Sequence, residues 1–227
     1  MNSKTAVLIF ANSSKVERKF KSFAKGNALI DELNKNTLKT VKKTKLPYFI
    51  FTEKEQKGAS FGERFTNALQ AVFNEGFNRV ITIGNDTPQL KKQHLLKAAD
   101  AIANANFVIG PSLDGGFYLI GLTKKQFEKV DFLHLPWQKN TLEKSLSLQM
   151  TNADEEIIKL NSLLDVDADA DLKALFQFRT SISKKLIALL STLFLQNISI
   201  QFFSKLQVRL LFNRNYYNKG SPIIVLS

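Results

Sequence analysis

Three short segments carry residue types able to do chemistry. Gly84-Asn85-Asp86-Thr87-Pro88 places a carboxylate directly behind the apolar run 79–83. A carboxylate just past a buried strand is rigidly held and opens on a cleft. Oxygen ligands of this kind suit Mg²⁺ or Mn²⁺, above all where phosphates supply the remaining ligands. The same residues also fit a helix start, with Asp86 or Thr87 as cap and Pro88 in the first turn. In the second segment, Asp114-Gly115-Gly116 lies within Gly110 to Tyr118. The two glycines permit positive backbone dihedrals and close approach of a ligand, or simply a tight turn. The third runs from Asp165 to Asp171, with aspartates at 165, 167, 169 and 171. It resembles a calcium loop but lacks that loop's glycine and distal glutamate. Its alternative is a strand end at 163–166 and a helix capped by Asp167 or Asp169, with Asp171 in the first turn. If Asp165 or Asp167 faces the cleft of Asp86, two carboxylates can share one divalent cation, as phosphoryl-bearing substrates require.

Alternating strand and helix patterns must position these residues. Apolar runs at 6–10, 48–51, 79–83, 107–109 and 117–122 read as strands. Between them, residues from about 16 to 41 have the spaced apolar positions of a surface helix, and 61–73 and 90–104 repeat the pattern. Gly76 is placed to close the second helix. Strands separated by helices of this length predict an α/β fold with a mostly parallel open sheet and flanking helices. In such sheets ligands bind beyond the carboxyl ends of the strands, which selects Asn12-Ser13-Ser14 after the first strand, Asn85-Asp86 after the third and Pro111 to Gly116 after the fourth.

Composition narrows the possible functions. Among 227 residues there is no cysteine, which excludes disulfides, thiolate metal sites and a cysteine nucleophile, and a cytoplasmic setting is allowed. His94 and His134 are the only histidines, too few for a histidine metal cage. His94 is expected in solvent and His134 in a structural role. Net charge is +12, but no acidic residue follows Asp171, so residues 1–171 carry only +4. This split argues against a nucleic-acid partner. The expected division is a domain over 1–178 and a basic, apolar C-terminal extension over 179–227. The run 5–10 is too short for a signal-peptide core, and 186–204 is too polar for a confident span. Leu186, Leu189, Leu190, Leu193 and Phe194 have amphipathic helical spacing. That face would pack on the parent domain or a second subunit, or adsorb to anionic lipid at the inner membrane face through Lys184, Lys185, Lys205 and Arg209.

Taken together and in order, these segments resemble the bacterial glycosyltransferase-A-like group of the nucleotide-diphospho-sugar transferase superfamily. Some of its members are labelled arsenosugar-biosynthesis glycosyltransferases. The resemblance spans about residues 5–178. It rests on Gln56, Gly58, Phe61, Gly62 and Arg64; on Gly84 to Pro88; on Gly110 to Leu122; on Trp137; and on Asp165-Val166-Asp167 to Asp171-Leu172. It implies a transferase that binds a nucleotide or nucleotide-sugar and a small-molecule acceptor, with Mg or Mn. By resemblance, Asp86 and Asp114 are catalytic, and Asp86 holds the metal with Asp165 or Asp167. Gln56 and Arg64 contact the nucleotide side, or Arg64 pairs with Glu63 or another acid in a structural role, while Gly115 and Gly116 approach sugar or acceptor. Two departures stand out. The glycine- and proline-bearing phosphate loop after the first strand is replaced by Asn12-Ser13-Ser14-Lys15-Val16-Glu17-Arg18-Lys19, where only side-chain charge from Lys15, Arg18 or Lys19 is offered. The acid-x-acid metal signature is reduced to one carboxylate, Asp86. Nucleotidyl transfer to a small phosphate-bearing substrate and a non-catalytic binding or scaffold role are the alternatives.

Overall fold

The computed structural model describes residues 4–20 and 27–192. Six strands form one sheet. They are β1 (Thr5–Phe10), β2 (Tyr48–Phe51), β3 (Arg79–Ile83), β4 (Phe107–Pro111), β5 (Phe117–Thr123) and β6 (Ile157–Lys159). Their order is β2-β1-β3-β5-β4-β6. All neighbours pair in parallel except β5, which runs antiparallel to both β3 and β4. The mostly parallel α/β sheet is thus present, with one reversed strand. The reversal follows from chain length, because residues 112–116 can close a hairpin but are too few for a parallel crossover.

The helices are α1 (Ser14–Phe20), α2 (Asn27–Lys42), α3 (Phe61–Asn74), α4 (Lys92–Ala103), α5 (Lys124–Phe127), α6 (Leu142–Asn152) and α7 (Asp169–Gln177). A further helix, α8, covers 184–192. The single surface helix expected over about 16–41 is therefore two, and Gly26, a poor helix former, lies between them in sequence. At α3, Ser60 and Glu63 form a reciprocal capping box, and Gly76 follows its end with a φ of 87°.

Side chains alternate across the strands, so each sheet face builds its own core. Beneath α3 and α6 the core is rich in aromatics: Phe10, Phe65 and Phe132 pack with Leu8, Leu69 and Leu146. Beneath α4 it is aliphatic, with Val7, Ile81, Leu95, Ile102 and Leu119. Each such side chain, fully buried, contributes about 1.5–3 kcal/mol. In a third cluster, Leu186 and Leu190 of α8 are buried against Leu29 and Leu33 of α2 and Leu172 and Leu175 of α7. Lys185 adds an ion pair to Glu32 at 2.8 Å. Leu193, Phe194, Lys205 and Arg209, on which the lipid reading depends, lie outside the described residues. Among the described residues no helix is long and apolar enough to cross a membrane.

Candidate active site

The loops after β3 and β4 and the segment 163–166 are laced together by their backbones. Val166 N–H donates to the Asp86 carbonyl at 3.0 Å. Leu163 N–H donates to the Pro111 carbonyl at 3.1 Å, and Leu113 N–H returns a bond to Leu163 at 3.0 Å. Gln89 adds a side-chain acceptor for Leu164 N–H at 2.9 Å. Because 163–166 threads between the two loops, Asp165 stands beside Asp86 and near Asp114. The three sequence segments therefore meet at the carboxyl ends of β3 and β4.

They surround one composite cleft. An inner cavity of about 230 Å³ adjoins an outer groove of about 860 Å³. Asp86, Asp165 and Arg64 line both, Gln56 lines the inner part, and Asp114, Gly116 and Asp167 line the outer part. Phe61, Phe117 and Trp137 form an aromatic wall, with ring centroids of Phe61 and Trp137 at 4.7 Å and of Phe117 and Trp137 at 5.9 Å.

Several local expectations change. Asp86 does not cap a helix, because α4 begins only at Lys92. Neither Asp167 nor Asp169 caps α7. Ala168 occupies the cap position, and the Asp171 carboxylate in the first turn accepts from Asp167 N–H at 3.0 Å and Ala168 N–H at 2.8 Å. Leu163 makes an isolated parallel bridge to Ser112 rather than a strand of its own. His94 is half-buried rather than solvated. Its Nδ1 accepts from Lys91 N–H at 3.1 Å, and burial, then Lys91 and Lys97, lower its pKa. His134 is exposed and contacts Asp131 at 2.7 Å, away from the cleft.

Electrostatics single out Asp165. Burial, then the like charges of Asp86 and Asp114, push its carboxyl well above the usual range, to about 8, against hydrogen bonding with Thr87 and Ser112. Arg64 makes no ion pair among the described residues. Its guanidinium lies 5.9 Å from the Phe61 ring centroid, and Nη1 donates to the Ala59 carbonyl at 3.4 Å. Gln56 is fixed by a 3.0 Å bond to the Phe51 carbonyl.

Gly115 and Gly116 have different reasons to be glycine. Gly115 has a φ of 92°, and a Cβ there would lie 2.0 Å from the Asn140 carbonyl oxygen. It lets the loop of Asp114 pack on the start of α6, where Glu143 N–H donates to the Gly115 carbonyl at 3.0 Å. Gly116 N–H donates to Asp114 Oδ1 at 3.0 Å, and Ser112 Oγ donates to the same oxygen, so the carboxylate is oriented from two sides. Gly115→Ala is expected to lower the melting temperature by roughly 4–10 °C, from about 2–3 kcal/mol of strain and displaced packing. Thermal denaturation by circular dichroism checks this.

At the loop after β1, Ser13 N–H and Ser13 Oγ donate to the two oxygens of Glu53, each at 2.7 Å. These bonds hold the Glu53 carboxyl below its ordinary range. A side-chain carboxylate thus already uses both donors of Ser13, the residue just ahead of α1.

Sequence reasoning missed Glu17, buried on α1, and Thr82, buried in β3, both of which line the inner cavity. Thr82 had a signal, as a lone hydroxyl within an otherwise apolar strand. Among the described residues, no three His, Asp or Glu side chains form a group able to hold a metal ion by themselves.

A family described as an uncharacterized protein conserved in bacteria (DUF2064) matches residues 35–139. This stretch includes Gln56, Arg64, Asp86 and Asp114 to Gly116, but not Asp165 or Asp167. No curated protein matches the chain. Among solved structures, the chain is similar to a Desulfovibrio desulfuricans G20 protein provisionally named a nucleotide-diphospho-sugar transferase. The TM-score is 0.72 at 23% identity, over 86% of this chain and 98% of that one. It is also similar to 4-diphosphocytidyl-2C-methyl-D-erythritol synthase of Anaerococcus prevotii DSM 20548, with a TM-score of 0.53 at 13% identity, over 78% and 99% of the two chains. Identities this low establish fold alone. Over residues 35–139 the chain matches that bacterial family, and its fold is similar to that of the Desulfovibrio protein.

Proposed function

We propose that the protein is a transferase that takes a nucleotide-sugar as donor and a small molecule as acceptor. The observation that carries this reading is the meeting of Asp86, Asp165 and Asp114, from three separate segments, at the mouth of an aromatic-walled pocket. Carboxylates gathered at the cost seen in the raised pKa of Asp165 are a functional arrangement more often than a structural one.

The donor set fits a hard divalent cation. Asp86 and Asp165 offer carboxylate oxygens from adjacent loops, and a bound diphosphate would complete the ligands that the protein does not. When bound, Mg²⁺ or Mn²⁺ would neutralise charge on the diphosphate leaving group. The chain's own residues do the rest. Arg64, which has no carboxylate partner among the described residues, supplies a second positive charge at the cleft. Asp114, oriented by Ser112 and Gly116, accepts a hydrogen bond from an acceptor hydroxyl. Phe61, Phe117 and Trp137 cover apolar faces and exclude water. Catalysis is then positioning and charge stabilisation.

Trp137 is the sole tryptophan and lines the cleft, so its fluorescence reports occupancy. Titration with nucleotide-sugars and nucleoside triphosphates, each with and without Mn²⁺, tests the reading. A metal-dependent change with one nucleotide-sugar is expected. A larger response to a triphosphate would favour nucleotidyl transfer, which the same fold serves. No response to any compound at millimolar concentration would remove the transferase reading.

A further inference from the structure

The chain that follows Asp86 borders a second concavity, of about 370 Å³, which shares no lining residue with the cleft. Lys39 and Lys43, at the end of α2, line one side of it. Lys91 and Lys92, at the start of α4, line another, and Ser183, just ahead of α8, also borders it. Among the described residues no carboxylate lines this concavity, and none of the four lysines makes an ion pair. The segments outside the described residues contain no aspartate or glutamate, so they bring it no side-chain carboxylate. Exposed lysines are commonly just solvated, and Lys39 and Lys43 suit the carboxyl end of α2 by its dipole. Lys91 and Lys92 do not suit their place. They set two positive charges at the amino end of α4, where the dipole favours anions, and that first turn holds no acidic residue. Lys91 occupies the cap position, yet its side chain makes no capping bond. Burial, then Lys91 and Lys97, lower the His94 pKa, so a neighbouring group already feels this positive charge. Local choices that work against the fold in this way are expected where a ligand offsets them.

We infer that this concavity is an anion site, separate from the transferase cleft, that takes a phosphate monoester or diphosphate group. Four cations around so small a volume call for a charge density that one carboxylate lacks. A phosphate monoester or diphosphate supplies it, with several strong acceptor oxygens. Ser183 adds a neutral donor. Its Oγ accepts from Asn36 Nδ2 and from Leu186 N–H, both at 3.2 Å, which leaves its own proton to donate. Those two bonds also tie the start of α8 to α2, so this side of the site is fixed. The phosphate can belong to a soluble molecule or to a lipid headgroup. The lipid source has its own support, because Lys205, Arg209, Arg214 and Lys219 follow α8 in sequence and add positive charge.

The test uses the full chain in EDTA, so that metal-dependent binding in the cleft does not contribute. Calorimetry with pyrophosphate probes a soluble source. Co-sedimentation with phosphatidylcholine vesicles, with and without phosphatidic acid, probes a lipid headgroup. The native protein should bind pyrophosphate, the phosphatidic acid vesicles, or both, and more weakly as KCl is raised. Lys91→Gln with Lys92→Gln, and separately Lys39→Gln with Lys43→Gln, should each weaken that binding roughly 3–30-fold. Arg64→Gln, in the cleft, should leave it unchanged. Without anion, the Lys91 and Lys92 pair of substitutions should raise the melting temperature by about 1–4 °C, because it relieves the start of α4. Both lysine pairs should keep the native Trp137 response to nucleotide and Mn²⁺, so this site and the transferase reading can fail separately. No binding of either probe, an affinity unchanged in either lysine pair, or an equal loss in Arg64→Gln would overturn the inference.

Discussion

Asp86→Ala is expected to abolish Mn²⁺-dependent nucleotide binding, with affinity reduced by at least about 100-fold. Removing one of two carboxylates that hold a desolvated cation costs about 3–5 kcal/mol, and each 1.4 kcal/mol is tenfold. Asp86 is suited to this effect because its loop is fixed from several sides. Its carbonyl is bonded to Val166, and its neighbour Asn85 donates to Asn34 on α2 at 2.6 Å. Truncation of the side chain should leave those ties intact, so the variant should fold. The comparison to make is calorimetric, native against variant, with the nucleotide that binds best. Retained affinity would show that the carboxylate at the end of β3 does not serve a cation.

Asp165→Asn should have opposite effects on stability and binding. In the folded protein the Asp165 carboxyl titrates far above its ordinary value of 3.8, near 8. The folded state therefore holds a proton that the unfolded chain releases, and stability falls as pH rises from about 4 to about 8. Asparagine removes the charge while keeping an oxygen that can accept from Thr87, which now donates to Asp165 Oδ1. The variant should be more stable than the native protein at pH 8 by about 1–3 kcal/mol, or roughly 3–10 °C in melting temperature. The gain should shrink toward pH 4 and vanish below it, where the native carboxyl is protonated in the unfolded state as well. With Mn²⁺ and nucleotide present the order should reverse, since the native protein gains ligand stabilisation that the variant loses. Melts at pH 4, 6 and 8 measure the first effect. A variant less stable than native at pH 8 would mean that the charge on Asp165 is compensated within the protein.

Much of this arrangement was legible in the sequence because its signals are local. The apolar runs at 6–10 and 79–83 could hardly be other than buried strands, 48–51 forms the partly exposed edge strand β2, and Ser60 with Glu63 marks a helix start by chemistry alone. The direction of β5 was less legible, although the short loop 112–116 contained the reason. α6 was obscured because its buried Leu142, Leu146 and Met150 are interspersed with serine, threonine and glutamine. At the site, residue types and strand ends pointed to Asp86 and Asp114, but the place of Asp165 depends on long-range backbone bonds to residues 86 and 111 that no spacing encodes. The Ser13–Glu53 contact joins residues 40 apart in sequence, so the altered loop after β1 could be seen, but what takes its donors could not.

The most direct test is to locate the metal. Crystals soaked in Mn²⁺ with a nucleoside diphosphate should give an anomalous peak between the carboxylates of Asp86 and Asp165, with the diphosphate reaching toward Arg64. A peak elsewhere with that cleft free of metal, or nucleotide bound in the cleft with no metal beside it, would contradict the metal-dependent transferase site proposed here.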